Sequence, residues 1–371
     1  MINLFKEYKK PLVEGFYHDS YVANKANSNY EFTGNHEIVL TSMIPVVPVE
    51  SWPSGPRTGG DRFGTVTDVE DETQTLALTH HLKWTKSIDG SDNSQQAYLK
   101  RAGDYMKLMM REQVNPIRDK YTLRKWTENA GTVVTTANAP TNSTIVGLLL
   151  DAEIALANAG VPEGDRYCYM GNSSWKLIRT ASEFVGCDNL TDKMILKGYR
   201  GDFSTLKMVF VPDDYMPSGV YALVAHKSSV LAPLTWKTAR VLETAQGYDG
   251  PVVEYHDMWD AFVIGKRSKG VYALVGSSNK CGELEFEAES GTHSGKKITI
   301  AFKNSSQVGY GTASIYYTLD GTDPKYSDTR KVYTAAVDDL PVGTLVRAAA
   351  EKTDASTPLY WSDIYSTTVA S

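Results

Sequence analysis

The sequence predicts a mixed α+β chain that closes with an all-β domain, on three observations. One stretch carries helical periodicity for much longer than an ordinary globular helix. A glycine-punctuated ribbon precedes it. After residue 276 helical stripes give way to short strands at regular intervals.

The long helix is expected from about Asp92 to Trp126, with Ser91 or Asp92 supplying the capping oxygen. Tyr98, Ala102, Tyr105, Met106 and Met109 recur at steps of three and four and share one face, while Lys100, Arg101, Lys107 and Arg111 point elsewhere. Ile117 and Tyr121 continue the stripe. Pro116 lacks a backbone donor and crowds the preceding turn, so a kink or break is expected there. Such a helix is ~50 Å long at 1.5 Å per residue.

Before it, residues 1–36 are polar and aromatic with weak periodicity (Tyr17, Tyr21, Asn24, Asn27, Asn29, Tyr30). They form an arm that lacks a core of its own and must lie across another surface or stay loose. Residues 37–90 form an extended hairpin. One strand runs from Glu37 to Val49, and the returning segments are Thr65 to Thr67 and Thr73 to Thr85. Between them, Ser51 to Gly64 holds four glycines and two prolines and forbids regular structure. The ribbon has too few large apolar side chains to stand alone, so one face must rest on something else, with an identical molecule as the expected partner. Arg57 and Arg62 lie with Trp52 and Phe63 at its tip. Arginine beside aromatic side chains favours a protein interface, and these four are the candidate subunit-interface residues.

Beyond the helix, Asn129 to Thr141 is small and polar and is expected to loop. Asn142 or Ser143 caps a helix reaching Leu156, which Gly160 ends and Pro162 keeps from restarting. Tyr167 to Met170 is a buried strand, and Ser173 caps a short helix through Ile178. Met208 to Pro212, Val220 to Ala225, Val252 to Tyr255, Phe262 to Gly265 and Gly270 to Val275 are further strands, so residues 91–276 combine the long helix with a mixed α/β region. Gly276 to Asn279 is the expected linker. Residues 277–371 then give strands at Leu284–Ala288, Lys297–Phe302, Ser314–Leu319, Val332–Ala335, Leu345–Glu351 and Tyr365–Val369, separated by turns such as Asp320-Gly321. That is the pattern of a small β-sandwich.

Composition narrows the function. The 371 residues hold 42% hydrophobic side chains and a net charge of −6, which argues against a chain built mainly to grip nucleic acid. Cys168, Cys187 and Cys281 have no zinc-ligand spacing and imply no disulfide framework. The N-terminus, Met1 to Lys10, lacks the apolar run of a signal peptide, and no stretch approaches the ~20 apolar residues that span a bilayer.

Catalytic patterns fail on inspection. Gly171-Asn172-Ser173-Ser174-Trp175 lacks the closing glycine of a nucleophile elbow, and Gly309 to Ser314 lacks the last glycine of a dinucleotide fingerprint and is a turn. His80 and His81 face opposite sides of a strand. His256-Asp257 is a candidate pair on paper, though a satisfied strand-end histidine is commoner. Asp213-Asp214 and Asp338-Asp339 are expected to be solvated turn residues. No catalytic, metal or cofactor site is expected, and the chain is not expected to be an enzyme.

Val161-Pro162-Glu163-Gly164-Asp165-Arg166-Tyr167-Cys168-Tyr169-Met170 leading to Trp175-Lys176-Leu177, and Trp259-Asp260-Ala261-Phe262-Val263-Ile264 leading to Gly270 to Leu274, together with the order arm, extended loop, long helix and mixed region, resemble tailed-phage major capsid proteins of the Hong Kong 97-type fold over residues 1–276. The long helix corresponds to that family's spine helix and the mixed region to its peripheral and axial domains. Residues from about 281 onward, with Ile315 to Pro324, Val332-Tyr333 and Val346 to Ala350, resemble immunoglobulin-like domains of the chitobiase C-terminal kind. The resemblance implies a coat protein that self-assembles through hexamers and pentamers into an icosahedral shell, with the last domain displayed outside and removable after Ser278. The implied partners are many copies of itself, with portal, scaffolding and other capsid proteins. The genome is enclosed without sequence-specific binding and no membrane is involved. The implied location is the virion, assembled in the host cytoplasm. From Asn279 onward the chain has nine Lys+Arg and twelve Asp+Glu, leaving 29 against 32 in the shell part. Two rivals remain: a carbohydrate-active enzyme with an accessory β-domain, which requires paired carboxylates in an aromatic cleft, and a surface adhesin.

Overall fold

The computed structural model describes residues 20–30, 37–43, 71–90, 93, 101–181, 202–243, 245–289, 296–352 and 359–369. A six-stranded sheet forms the middle of the mixed region, in the order Thr132–Thr136, Val271–Gly276, Val220–His226, Arg166–Gly171, Leu206–Val211, Asp202–Phe203. The first two strands run parallel, as do Arg166–Gly171 and Leu206–Val211. The remaining neighbours are antiparallel. The strand Val271–Gly276 is buried along its whole length, which is why it stands in the sequence as an unbroken apolar run. Alternation then sorts its side chains. Val271, Ala273 and Val275 face one core with Leu123 and Trp126 of the long helix. Tyr272 and Leu274 face another with Ile145, Leu149 and Leu156 of the helix Ile145–Asn158. The sheet is therefore covered by helix on both sides.

The long helix continues past Pro116. Ala102–Met109 passes into a π-helical turn, Met110–Val114, and then into Asn115–Glu128. Backbone angles stay right-handed helical through the junction. The Asn115 N–H reaches back five residues to the Met110 carbonyl. The expected kink or break is thus a local rewinding, which lets the ladder step over the missing proline donor. Its expected capping residues Ser91 and Asp92, and Tyr98, lie outside the described residues. In Ala102–Met109 no side chain is buried, while Leu123 and Trp126 are wholly buried, each removal from water contributing roughly 2–3 kcal/mol.

The predicted strand Thr73 to Thr85 divides. Asp71–Ala77 pairs with Glu37–Met43 to make the hairpin base, whereas His80–Ser87 joins a three-stranded sheet with Val252–Trp259 in its centre and Leu234–Leu242 beyond. The break falls at Leu78 and Thr79. The stretch expected to loop from Asn129 to Thr141 contains the strand Thr132–Thr136, a β-branched run, Thr-Val-Val-Thr-Thr, that favours extended backbone and pairs in parallel with Val271–Gly276.

The two described α-helices after residue 141 start without a side-chain cap from the residues expected to supply one. Thr144 precedes Ile145–Asn158 with no side-chain cap bond, so neither Asn142 nor Ser143 caps it. Gly160, at φ +73°, ends it as expected, with the Val161 N–H returning to the Leu156 carbonyl at 3.0 Å. Helix Asn172–Arg179 is capped from a distance: Asp213 Oδ1 accepts the Ser173 N–H at 2.9 Å, so Asp213 has a structural role and Ser173 supplies no cap.

The described strands after residue 283 form two facing sheets. One holds Leu284–Glu289, Lys296–Phe302 and Val337–Leu340. The other holds Lys331–Val332, Ser314–Thr318, Leu345–Glu351 and Tyr365–Thr368. Leu284, Ile298, Ile300 and Phe302 meet Val346, Ala348 and Ala350 between them. Asp338 and Asp339 lie in a strand and are exposed, not in a turn as expected. The linker is a tight turn, Ser277–Asn279, pinned by the Tyr360 N–H on the Asn279 carbonyl at 2.7 Å.

Candidate assembly interface

The hairpin base is fastened to its own subunit by three sets of contacts. Leu76 and Leu78 are buried with Leu231, Met258 and Ile264, and Ile38 and Leu40 pack on the same cluster. Gln74 binds backbone on both sides of one loop: its Nε2 donates to the Val263 carbonyl at 3.0 Å, and its Oε1 accepts the Gly265 N–H at 2.8 Å. Asp260, 4% exposed, joins three elements. Its Oδ2 accepts the Thr79 N–H and hydroxyl at 3.1 and 2.8 Å, and its Oδ1 accepts the Tyr121 hydroxyl at 2.9 Å and the Ala261 N–H at 2.7 Å. Burial first, then the Asp260 charge, drives the Tyr121 phenol well above its ordinary range.

Strand alternation then decides what is left over. Ile38 and Leu40 turn inward, while Val39 and Met43 are 57% and 71% exposed on the other face. One face of the described base therefore rests on its own chain, and on the other Val39 and Met43 are exposed. Trp52, Arg57, Arg62 and Phe63, the predicted interface residues, lie outside the described residues. Further exposed apolar side chains occur at Leu150 and Ile154, one turn apart on the outer side of helix Ile145–Asn158.

The long helix sits on the three-stranded sheet through a buried polar group. The Arg118 guanidinium ion-pairs with Asp257, which is fully buried, and its Nη2 donates to the Tyr255 hydroxyl at 2.7 Å. The Tyr255 hydroxyl donates to Asp257 Oδ2 at 2.5 Å. Trp84 stacks on Tyr255 with 5.8 Å between centroids. His256 points to the opposite face from Asp257 and stacks on His81, so the two do not form a pair. His80 instead packs edge-on against Tyr121, facing away from His81 as expected.

Part of the arm is held down too. Asp119, 3% exposed on the long helix, accepts the Ser20 hydroxyl at 2.6 Å and the Tyr21 N–H at 2.7 Å. Val22 enters the central core, and the Asn27 N–H donates to the Val230 carbonyl at 2.8 Å. Residues 20–30 thus lie on their own subunit.

Asp119 and Gln74 stand in no sequence motif, and Asp260 stands in one only as part of the string from Trp259 to Ile264, with nothing there to mark it as a joint. Each is a lone polar residue with no periodic reason to be buried. Among the described residues no group of three or more His, Cys, Asp or Glu side chains gathers as for a metal.

No protein-family model matches the sequence, and no curated protein matches it. Solved structures do resemble the fold. The capsid structure of cyanophage P-SCSP1u superposes with a TM-score of 0.60 at 12% identity, covering 74% of this chain and 93% of that one. Mycobacterium phage Che8 gives 0.56 at 16% identity, covering 74% and 97%. The asymmetric unit of the mature capsid of bacteriophage PhiM1 gives 0.53 at 9% identity, covering 73% and 91%. The mixed α+β architecture matches phage capsid folds.

Proposed function

We propose that this chain is the major capsid protein of a tailed bacteriophage, of the Hong Kong 97-type fold, that assembles with copies of itself into an icosahedral shell enclosing the genome. The observation that carries the reading is the hairpin: a two-stranded ribbon rooted beside the long helix, covered by its own chain on one face and bare at Val39 and Met43 on the other. The likeness to phage capsid folds over about three-quarters of the chain supports it. In the proposed assembly the bare face and the tip with Trp52, Arg57, Arg62 and Phe63 lie on the neighbouring subunit. Many such contacts close a ring, so each need be only moderate. Scaffolding, portal and other capsid proteins are the further partners, and the virion, built in the host cytoplasm, is the location.

Residues 277–371 are the proposed outer domain, immunoglobulin-like in its two facing sheets. The rival reading as a carbohydrate-active enzyme needs free carboxylates in a cleft. Asp260 and Asp328 border a cleft of about 480 Å³, and both are committed to fixed hydrogen bonds.

Negative-stain microscopy of the expressed chain tests the reading. Shells, rings or sheets are expected, and a monomer at every concentration would falsify it. Deleting Pro53 to Phe63 is expected to leave a folded subunit that does not assemble. Normal particles from that deletion would remove the tip from the interface.

A further inference from the structure

We propose that the C-terminal sandwich is a clamp on the hairpin base, its loop 323–330 holding the strand Asp71–Ala77 in place on the subunit, with Asp328 and Tyr326 as the positioning residues. The consequence for assembly rests on the coat-protein reading. The clamp itself is a property of the single chain.

Among the described residues, the hairpin strand Asp71–Ala77 pairs along one edge only, with Glu37–Met43. Asp328 occupies the other edge. Its Oδ1 accepts the Thr75 N–H at 3.2 Å, its Oδ2 accepts the Thr75 hydroxyl at 2.8 Å, and its own N–H donates to the Thr73 carbonyl at 3.4 Å. One residue of the sandwich thus imitates a strand partner and blocks an edge that would otherwise recruit another.

Two residues earlier, Tyr326 is 8% exposed and belongs to the central core, not to the core of the sandwich. Its hydroxyl donates at 2.5 Å to the carbonyl of Asn129, the residue that ends the long helix and whose carbonyl has no helical partner. Its ring lies over Gly265, where any Cβ would come within 2.7 Å of the Tyr326 Cβ, so only glycine fits. Gly265 is also the residue whose N–H is bound by Gln74 of the hairpin. Hairpin, central loop, helix end and sandwich therefore meet at one point.

The loop is stiff enough to act this way. The Asp323 carbonyl accepts the Tyr326 and Ser327 N–H groups at 3.2 and 3.0 Å, and its Oδ1 accepts the Lys325 N–H at 2.8 Å. These contacts replace the expectation of a removable decoration: stopping after Ser278 would strip Tyr326 and Tyr360 from the central core.

Hydrogen exchange with mass spectrometry on the full chain tests the clamp. Asp328→Ala is expected to speed exchange in Asp71–Ala77 by about fivefold to tenfold, the loss of one to two hydrogen bonds' protection, and to leave Val271–Gly276 unchanged. Asp328→Asn, which keeps a carbonyl acceptor, is expected to restore most of the protection. Tyr326→Phe, which keeps the ring, is expected to speed exchange at the helix end and hairpin together. Unchanged exchange in Asp71–Ala77 in both Asp328→Ala and Tyr326→Phe overturns the clamp, as does equal acceleration over the whole chain. Under the microscope, Asp328→Ala is expected to give irregular sheets where the unaltered chain gives uniform particles; uniform particles from both overturn the assembly role. The exchange result stands whether or not the chain assembles, so the clamp and the coat-protein reading fail separately.

Discussion

The Tyr121 hydroxyl of the long helix donates to Asp260 at 2.9 Å, and the second oxygen of the same carboxylate holds Thr79 at the root of the hairpin. One buried charge thereby sets the helix, the hairpin and the loop after Trp259 in fixed relation. Asp260→Ala removes the shared acceptor of four donors: the Thr79 N–H and hydroxyl, the Tyr121 hydroxyl and the Ala261 N–H. It is expected to destabilise the chain by ~3 kcal/mol, the range for hydrogen bonds to a charged group, read as a lower denaturant midpoint. A midpoint within experimental scatter of the unaltered chain would show that the carboxylate is not the joint.

Arg118 and Asp257 give a second stability prediction. Asp257 is fully buried, and its charge is balanced by Arg118 and the Tyr255 hydroxyl. Arg118→Ala is expected to cost about 3–5 kcal/mol, because it strands a buried carboxylate. Combining it with Asp257→Asn is expected to recover a substantial part in the same denaturation assay. No recovery in the double variant would show that the guanidinium acts through packing.

Asp119 predicts the behaviour of the arm. Its two oxygens hold Ser20 and Tyr21, and the Lys25 ammonium donates to the Tyr21 carbonyl at 2.6 Å. Burial pulls the Lys25 amine below its ordinary range, partly offset by Asp119. In Asp119→Ala, trypsin is expected to cut after Lys25 about a hundredfold faster, since the open form gains the ~3 kcal/mol that two hydrogen bonds to a charged group contribute at the low end of their range. Equal cleavage rates would mean that Val22 and Asn27 alone hold the segment.

Glu351 predicts a pH dependence. Burial, and next the Glu128 carboxylate facing it from the helix end, push its carboxyl up to about 8, against the opposing pull of Arg330, Lys125 and Lys325. The ordinary value is 4.5, so between 4.5 and 8 the folded chain keeps a proton that the unfolded chain has released. The contribution is full below 4.5 and is lost as pH rises through 8. Thermal melts across that window are expected to fall with pH for the unaltered chain and to flatten in Glu351→Gln. Identical slopes in both would assign the dependence to another group.

Periodicity and punctuation were legible where they acted locally. The central strands, the long helix and most strands of the sandwich follow from alternation, three-to-four spacing and turn residues. Thr132–Thr136 is a β-branched run, Thr-Val-Val-Thr-Thr, that favours a strand, and the small and polar residues on either side of it concealed the signal. The caps misled for another reason: Asp213, forty residues away, does the work expected of Ser173. Of the candidate interface, its poverty in apolar side chains was visible in advance. Its root at Asp260, Gln74 and Asp328 was not, since single polar residues carry no period.

The chain by itself determined most of its helix and strand segments, that a ribbon too thin for its own core precedes the long helix, and that an all-β region follows residue 276. Only the tertiary structure decided which face of the ribbon is covered, and that Tyr326 of the last domain enters the first one's core. The reason is range. Backbone preference and hydrophobic period act over a few residues, whereas Asp328 meets Thr75 across 253 positions and Tyr326 meets Asn129 across 197, which no local rule connects.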